Sequence, residues 1–219
     1  MKVIVFGATG MVGAGVLREC LLDSGVESVL TVGRNATAQG HGKLREIVCK
    51  DLLDLSPIAD QLRGYDACFY CLGISSVGMS EAAYRKVSYD MPLAAAEILL
   101  KMNPEMTFVY VTGAGADASE QGRVMWARVK GETENALLKM PFKGVYMFRP
   151  GVIQPLHGIR SKTRLYQTFY ELLGPVLSAA RRWLPRYVTT TEQIGKAMLA
   201  VARRNGGRGV LESADIDKL

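Results

Sequence analysis

Gly7-Ala8-Thr9-Gly10-Met11-Val12-Gly13 follows the apolar run Val3-Ile4-Val5-Phe6 and precedes a stretch with Val16 and Leu17 at helical spacing. A strand that reverses at once into a helix needs glycine at the turn. The same glycines let the backbone approach a pyrophosphate whose charge then lies on the helix N-terminus. These seven residues therefore predict a dinucleotide-binding turn between a first strand and a first helix. The plainer alternative is a strand-to-helix connection with no ligand. The binding reading is favoured by the buried-type strand on one side and by Val12, Val16 and Leu17 on the other.

The same alternation continues along the chain. Val29 to Val32 and Leu44 to Val48 read as the second and third strands, and Pro57 to Leu62 reads as a helix-like stretch. Ala67 to Leu72 is a continuous apolar strand, and Glu81 to Lys101 reads as one long helix stopped by Pro104. Thr107 to Thr112, a helix over Gly122 to Lys139, and Gly144 to Phe148 complete six strands, the last closing on Arg149-Pro150-Gly151. Strands alternating with helices predict an α/β fold, a doubly wound parallel sheet. Beyond Pro150 come a basic loop, His157 to Lys162, an amphipathic stretch, Leu165 to Trp183, and a last helix over Thr191 to Arg203. We read residues 1–219 as a single domain in which 151–189 form a small lobe over the cleft.

Composition bounds the function classes. With 219 residues and 48% hydrophobic content the chain can bury a sizeable core. It shows no signal-peptide pattern and no uncharged apolar run near 18 residues, so no transmembrane segment is expected and the cytoplasm is the expected location. Four cysteines are too few for a disulfide scaffold, and free thiols are expected. Cys68 and Cys71 have C-x-x-C spacing, but a three-residue offset in a strand points them to opposite faces, against a metal or redox pair. Only two histidines occur, His41 and His157, which makes a His-based metal site or a Ser/His/Asp triad hard to assemble. The net charge of +6 is concentrated late, in Arg160, Lys162, Arg164, Arg181, Arg182 and Arg186. No nucleic-acid motif accompanies these cations, and a solvated face or the rim of an anionic ligand is the expected meaning.

The second strand ends in Gly33-Arg34 where NAD-preferring sites place an acid on the adenosine ribose. A guanidinium there pairs with a 2′-phosphate through a forked contact, so NADP(H) is expected over NAD(H). The alternative is a solvated surface arginine.

Taken together, the heptad Gly7 to Gly13, Gly33-Arg34, Asp51-Leu52, Cys71-Leu72-Gly73, Lys130 and Arg149-Pro150-Gly151 resemble the short-chain dehydrogenase/reductase superfamily in its extended and atypical branches. Arg128-Val129-Lys130-Gly131-Glu132, Phe148 to Val152 and Tyr187 to Thr191 resemble its Tat-interacting-protein-like and epimerase-like members. The resemblance implies a Rossmann fold. It also implies that Gly7, Thr9, Gly10, Met11, Val12 and Gly13 hold the pyrophosphate, that Asp51 and Leu52 flank the adenine, and that Cys71, Leu72 and Gly73 line the ribose side. Lys130 would bond the nicotinamide ribose, and Pro150 to Ile153, Val152 included, would approach the carboxamide. For two of these residues a purely structural role is the alternative: Asp51 as a helix cap and Lys130 as an exposed helix residue.

The pattern departs from the superfamily at the proton donor. Carbonyl-reducing members use Tyr-x-x-x-Lys, and four residues before Lys130 this chain has Trp126, whose indole N–H is no acid at neutral pH. Thr112 could replace the usual serine hydroxyl, and Tyr84, Tyr89 and His157 are candidate stand-ins for the tyrosine. Three functions follow: an NADP(H)-dependent oxidoreductase on an unknown small carbonyl or quinone, an NADP(H)-sensing binding protein, or a nucleotide-sugar epimerase. The stretch 165–183 would suit an acidic partner or a membrane surface if it is not a lid, and the oligomeric state stays open between monomer and homodimer.

Overall fold

The computed structural model describes residues 1–159, 188–204 and 206–219. The basic loop from Arg160 onward, the amphipathic stretch 165–183 and most of the anticipated lobe therefore lie outside the described residues. Strand β1 (Lys2–Phe6) turns into α1 (Met11–Leu22) across Gly7 to Gly10. Strands β2 (Ser28–Gly33) and β3 (Leu44–Val48) follow, then a 3-10 turn over Ser56–Leu62 and β4 (Ala67–Tyr70). Next come α2 (Glu81–Arg85), a π turn (Lys86–Asp90) and α3 (Met91–Met102), then β5 (Thr107–Val111), α4 (Met125–Lys139) and β6 (Gly144–Arg149). The chain closes with β7 (Val152–Gln154), β8 (Val188–Thr190), α5 (Thr191–Ala202), β9 (Gly207–Glu212) and α6 (Ser213–Ile216).

Seven parallel strands form the main sheet in the order β3-β2-β1-β4-β5-β6-β9. The order reverses between β1 and β4, and a ligand crevice opens there at the carboxyl ends of the strands. Strand alternation splits the apolar side chains between two cores. Val3, Val5 and Phe69 face α1 and α5, while Ile4, Phe6 and Tyr70 face α3 and α4. Cys68 belongs to the second core and Cys71 packs against the first, so the C-x-x-C pair is split across the sheet as its spacing requires. All four cysteines are free thiols.

Three elements depart from the sequence reading, each for a physical reason. The helix expected as one piece over Glu81 to Lys101 is interrupted by the π turn. Pro92 lacks the N–H that would bond the Ser88 carbonyl four residues back, and that carbonyl instead accepts from Tyr110 Oη at 2.9 Å and Thr133 Oγ1 at 2.8 Å. The next helix starts at Met125 rather than Gly122, because the Asp117 carboxylate accepts from the backbone N–H groups of Ser119 and Gly122 and holds residues 117–122 in a loop. Strand β9 went unanticipated because Gly207-Arg208-Gly209 offers neither alternation nor β-branched residues. It is held by pairing to β6 and by Arg208, which donates to the carbonyls of Leu138, Met140 and Phe142. The β7–β8 pair, registered Val152 to Val188 and Gln154 to Thr190, is likewise new.

Candidate active-site cleft

The cleft is built on the turn that ends β1. Gly7 has φ +78°, and a Cβ there would lie 2.6 Å from the Leu72 backbone nitrogen, so only glycine lets the β1 and β4 ends approach. Gly13 is buried in the first turns of α1, where a Cβ would meet the Gly7 carbonyl oxygen at 2.2 Å. It sets the helix tightly on the turn and does not itself border the cavity. Gly10 caps α1 with extended backbone and no side-chain hydrogen bond, which leaves the first helical N–H groups available to an anion.

The cavity measures about 880 Å³ and runs from the β2 end to the β6 end. Gly7, Thr9, Gly10, Met11 and Val12 line its floor, and Gly33 and Arg34 line one end together with Asn35 and Thr37. Cys71, Leu72 and Gly73 form the middle, while Thr112, Trp126, Lys130 and Pro150 line the other end with Tyr84, Gly151 and Ile153. Nothing lies within 4 Å of where a Cβ would stand on Gly73 or Gly113, so the space beside these backbones is open. An extended cavity with a glycine floor, an uncapped helix start and one cation at each end fits a dinucleotide phosphate.

Asp51, Leu52 and Val152 are not brought to the cavity. Leu52 is 2% exposed and belongs to the core beneath β2, and the Asp51 carboxylate accepts from Leu53 N–H at 2.9 Å in a local turn. Val152 points to solvent while its neighbour Ile153 takes the lining position. Of the three stand-ins for the missing tyrosine, only Tyr84 lines the cavity, and it is buried. Tyr89 lies under the Arg85 guanidinium, 4.0 Å from carbon to ring centre, and His157 bonds the Glu192 carboxylate at 2.7 Å.

Arg34 is exposed and pairs with no carboxylate among the described residues. The loop after it is ordered by a residue the sequence reading passed over. Glu46 on β3 accepts from Thr31 Oγ1 at 3.1 Å and from Thr37 N–H at 2.8 Å. Burial would raise the Glu46 carboxyl, but these hydrogen bonds hold it below its ordinary value. The signal was present in the sequence as an acid directly opposite Thr31 in the next strand, yet it needs the register to be seen.

At the other end Lys130 is 5% exposed, which removes the exposed-helix reading. Its Nζ donates to Tyr110 Oη at 2.9 Å and to the Val111 carbonyl at 3.3 Å, leaving one of its three N–H groups without an acceptor among the described residues. Burial pushes its pKa down to about 8, opposed by Glu134 one helical turn on. Glu134 is itself held by Arg149, whose Nε donates to Oε1 at 2.9 Å. Thr112 Oγ1 donates to the Phe148 carbonyl at 3.1 Å, tying β5 to β6. The Trp126 indole covers the Gly115 backbone, where a Cβ would stand 3.5 Å from Cη2. Burial pushes the Cys71 thiol above its usual value.

The geometry agrees with what the chain is similar to. Residues 3–122 match the model of the NAD dependent epimerase/dehydratase family. Protein FMP52-1, mitochondrial, of Scheffersomyces stipitis is 28% identical over 155 residues, 70% of this chain and 67% of its own. Protein HTATIP2 of Rattus norvegicus is 29% identical over 155 residues, 69% of this chain and 62% of its own. Among solved structures, a short chain dehydrogenase family protein from Francisella tularensis superposes with TM-score 0.69 at 14% identity, covering 98% of both chains. The Bordetella bronchiseptica enzyme WbmF in complex with NAD+ superposes with TM-score 0.69 at 16% identity, covering 99% of this chain and 76% of its own. The mitochondrial names of FMP52 relatives overturn the expectation of a cytoplasmic chain. That expectation rested on solubility and on missing signal patterns, and a Rossmann core is the same object in either compartment. Among the described residues no helix is long and apolar enough to cross a membrane.

Proposed function

The chain belongs to the NAD dependent epimerase/dehydratase family, and from that premise we propose that it binds NADP(H) and reduces a small carbonyl compound or quinone. The observation that carries the proposal is Arg34. It stands at the end of β2, on the rim of the same cavity that the Gly7 to Gly10 turn floors, and pairs with no carboxylate among the described residues. A 2′-phosphate supplies that missing partner through charge-assisted hydrogen bonds, and the Asn35 and Thr37 side chains beside it add donors.

Lys130 at the far end is placed to donate its remaining N–H to a ribose hydroxyl, and Ile153 and Trp126 offer apolar surface beside it. A bound NADPH supplies a hydride. The chain itself contributes orientation, a largely apolar wall and a positive charge at Lys130 that stabilises developing negative charge on a carbonyl oxygen. Lys130 and Arg34 are the two charged side chains on the cavity wall among the described residues, and each is taken up by the dinucleotide reading.

Trp126 favours a second reading, because it removes the superfamily's proton donor: a protein that senses NADP(H) without turning it over. Following NADPH absorbance with a panel of quinones, aldehydes and ketones separates the two. Turnover of any of them supports the reductase. Saturable NADPH binding with no turnover across the panel supports the sensor, and absence of binding defeats both.

A further inference from the structure

Trp126 leaves the cleft without a hydroxyl where the superfamily keeps one, yet a different tyrosine lines the same end of the cavity. Tyr84 is the penultimate residue of the short helix α2, is 3% exposed, and shares the cavity wall with Thr112, Trp126 and Lys130. Behind it lies a buried polar cluster that the packing of an ordinary helix would not need. Tyr110 Oη accepts from Lys130 Nζ at 2.9 Å and donates to the Ser88 carbonyl at 2.9 Å. Pro92 is what frees that carbonyl. The Ser88 hydroxyl is buried and lies beside the Tyr84 phenol, and the Tyr70 hydroxyl is buried with no hydrogen-bond partner among the described residues. A buried hydroxyl left without a partner is costly.

The geometry points to Tyr84 as the proton donor of this cleft, a tyrosine presented from α2 in place of the one that Trp126 displaces from α4. The inference rests on the reductase reading and names its missing acid. In the step, the substrate carbonyl carbon gains a hydride from the dihydronicotinamide while its oxygen takes the Tyr84 proton. The C=O bond becomes CH–OH, the nicotinamide is oxidised, and a phenolate is left on Tyr84 until water reprotonates it. The Lys130 ammonium, tied to Tyr110, lines the same end of the cavity and supplies positive charge there. Burial pushes the Tyr84 phenol up in the free protein, and the neighbouring Ser88 hydroxyl opposes it. The titratable groups packed around this cluster are Tyr70 on β4, Tyr110 on β5, and Lys130 and Glu134 on α4. An oxidised nicotinamide adds a further positive charge at the cavity, and a positive charge within roughly 4–6 Å lowers an acid's pKa by about 1–3 units.

The test is a near-ultraviolet phenolate titration of the whole chain with and without saturating NADP+, with cofactor binding measured separately by calorimetry. We expect NADP+ to move one of the nine tyrosines down by about one pH unit or more. The shift should persist in Tyr89→Phe and Tyr110→Phe and vanish in Tyr84→Phe, or in Tyr84→Met if the first variant fails to fold. A shift that survives loss of Tyr84, or no shift while calorimetry shows NADP+ bound, overturns the inference and leaves the cofactor reading standing. Failure of wild type to bind NADP+ removes the cofactor reading and the inference with it.

Discussion

Lys130 shows how burial alone changes what a residue can do. Its pKa lies near 8 in the folded chain against 10.5 for an ordinary lysine, so between those values the unfolded chain holds more protons than the folded one. Stability then rises with pH across that window, because ∂ΔG/∂pH follows the excess of protons on the unfolded state. Chemical denaturation of wild type and Lys130→Met should therefore show wild type gaining on the variant from about pH 8 to pH 10, by up to a few kcal/mol at about 1.4 kcal/mol per pKa unit. A difference flat with pH would mean that the amine is solvated. Glu134 is the counterpart. It is 1% exposed, bonded to Arg149 and close to Lys130, and Glu134→Gln leaves the buried Lys130 and the partly buried Arg149, which keeps Glu212, with less compensation. Because Arg149 is partly exposed and keeps Glu212, the cost should fall short of a fully buried pair's, and urea unfolding should read a loss of about 1–3 kcal/mol.

Elements carry the site through close backbone approach. Gly131, beside Lys130 in α4, has no room for a side chain: a Cβ there would stand 1.8 Å from the Asp117 carbonyl oxygen. The loop after β5 closes onto α4 only because of it. Gly131→Ala should displace that loop, destabilise the chain by about 1–3 kcal/mol and weaken NADPH binding, while far-ultraviolet circular dichroism keeps the overall α/β signature. Unchanged stability would show that the loop yields at no cost.

The βα alternation, the glycine turn and the split cysteine pair were legible in the sequence because each is a local pattern with a fixed period. The π turn was half legible: Pro92 is visible inside the helix, but the donors that use the Ser88 carbonyl it frees, Tyr110 and Thr133, come into place only when β5 and α4 pack on either side. Glu46 and β9 could not be read, since both depend on register with a neighbouring strand. Leu52 shows the converse, where a motif position assigned by resemblance is occupied by a core side chain.

At the scale of the whole molecule, the sheet reverses its strand order at β1 and β4 and opens one long cavity. A ligand that fills it stabilises the fold by mass action, about 2.7 kcal/mol at one hundred times its Kd. Thermal unfolding should accordingly move upward with NADPH and move less with NADH at equal concentration. A charged cleft end makes that preference salt-sensitive, because Arg34 is solvent-exposed and screened within about 8 Å at physiological ionic strength.

The most direct measurement is a calorimetric titration of wild type and Arg34→Asp with NADPH and with NADH. Wild type is expected to bind NADPH at least about tenfold more tightly, a difference of about 1.4 kcal/mol, and Arg34→Asp is expected to lose most of that preference by weakening NADPH far more than NADH. Equal affinity of wild type for both cofactors, or equal losses in the variant, would contradict the account.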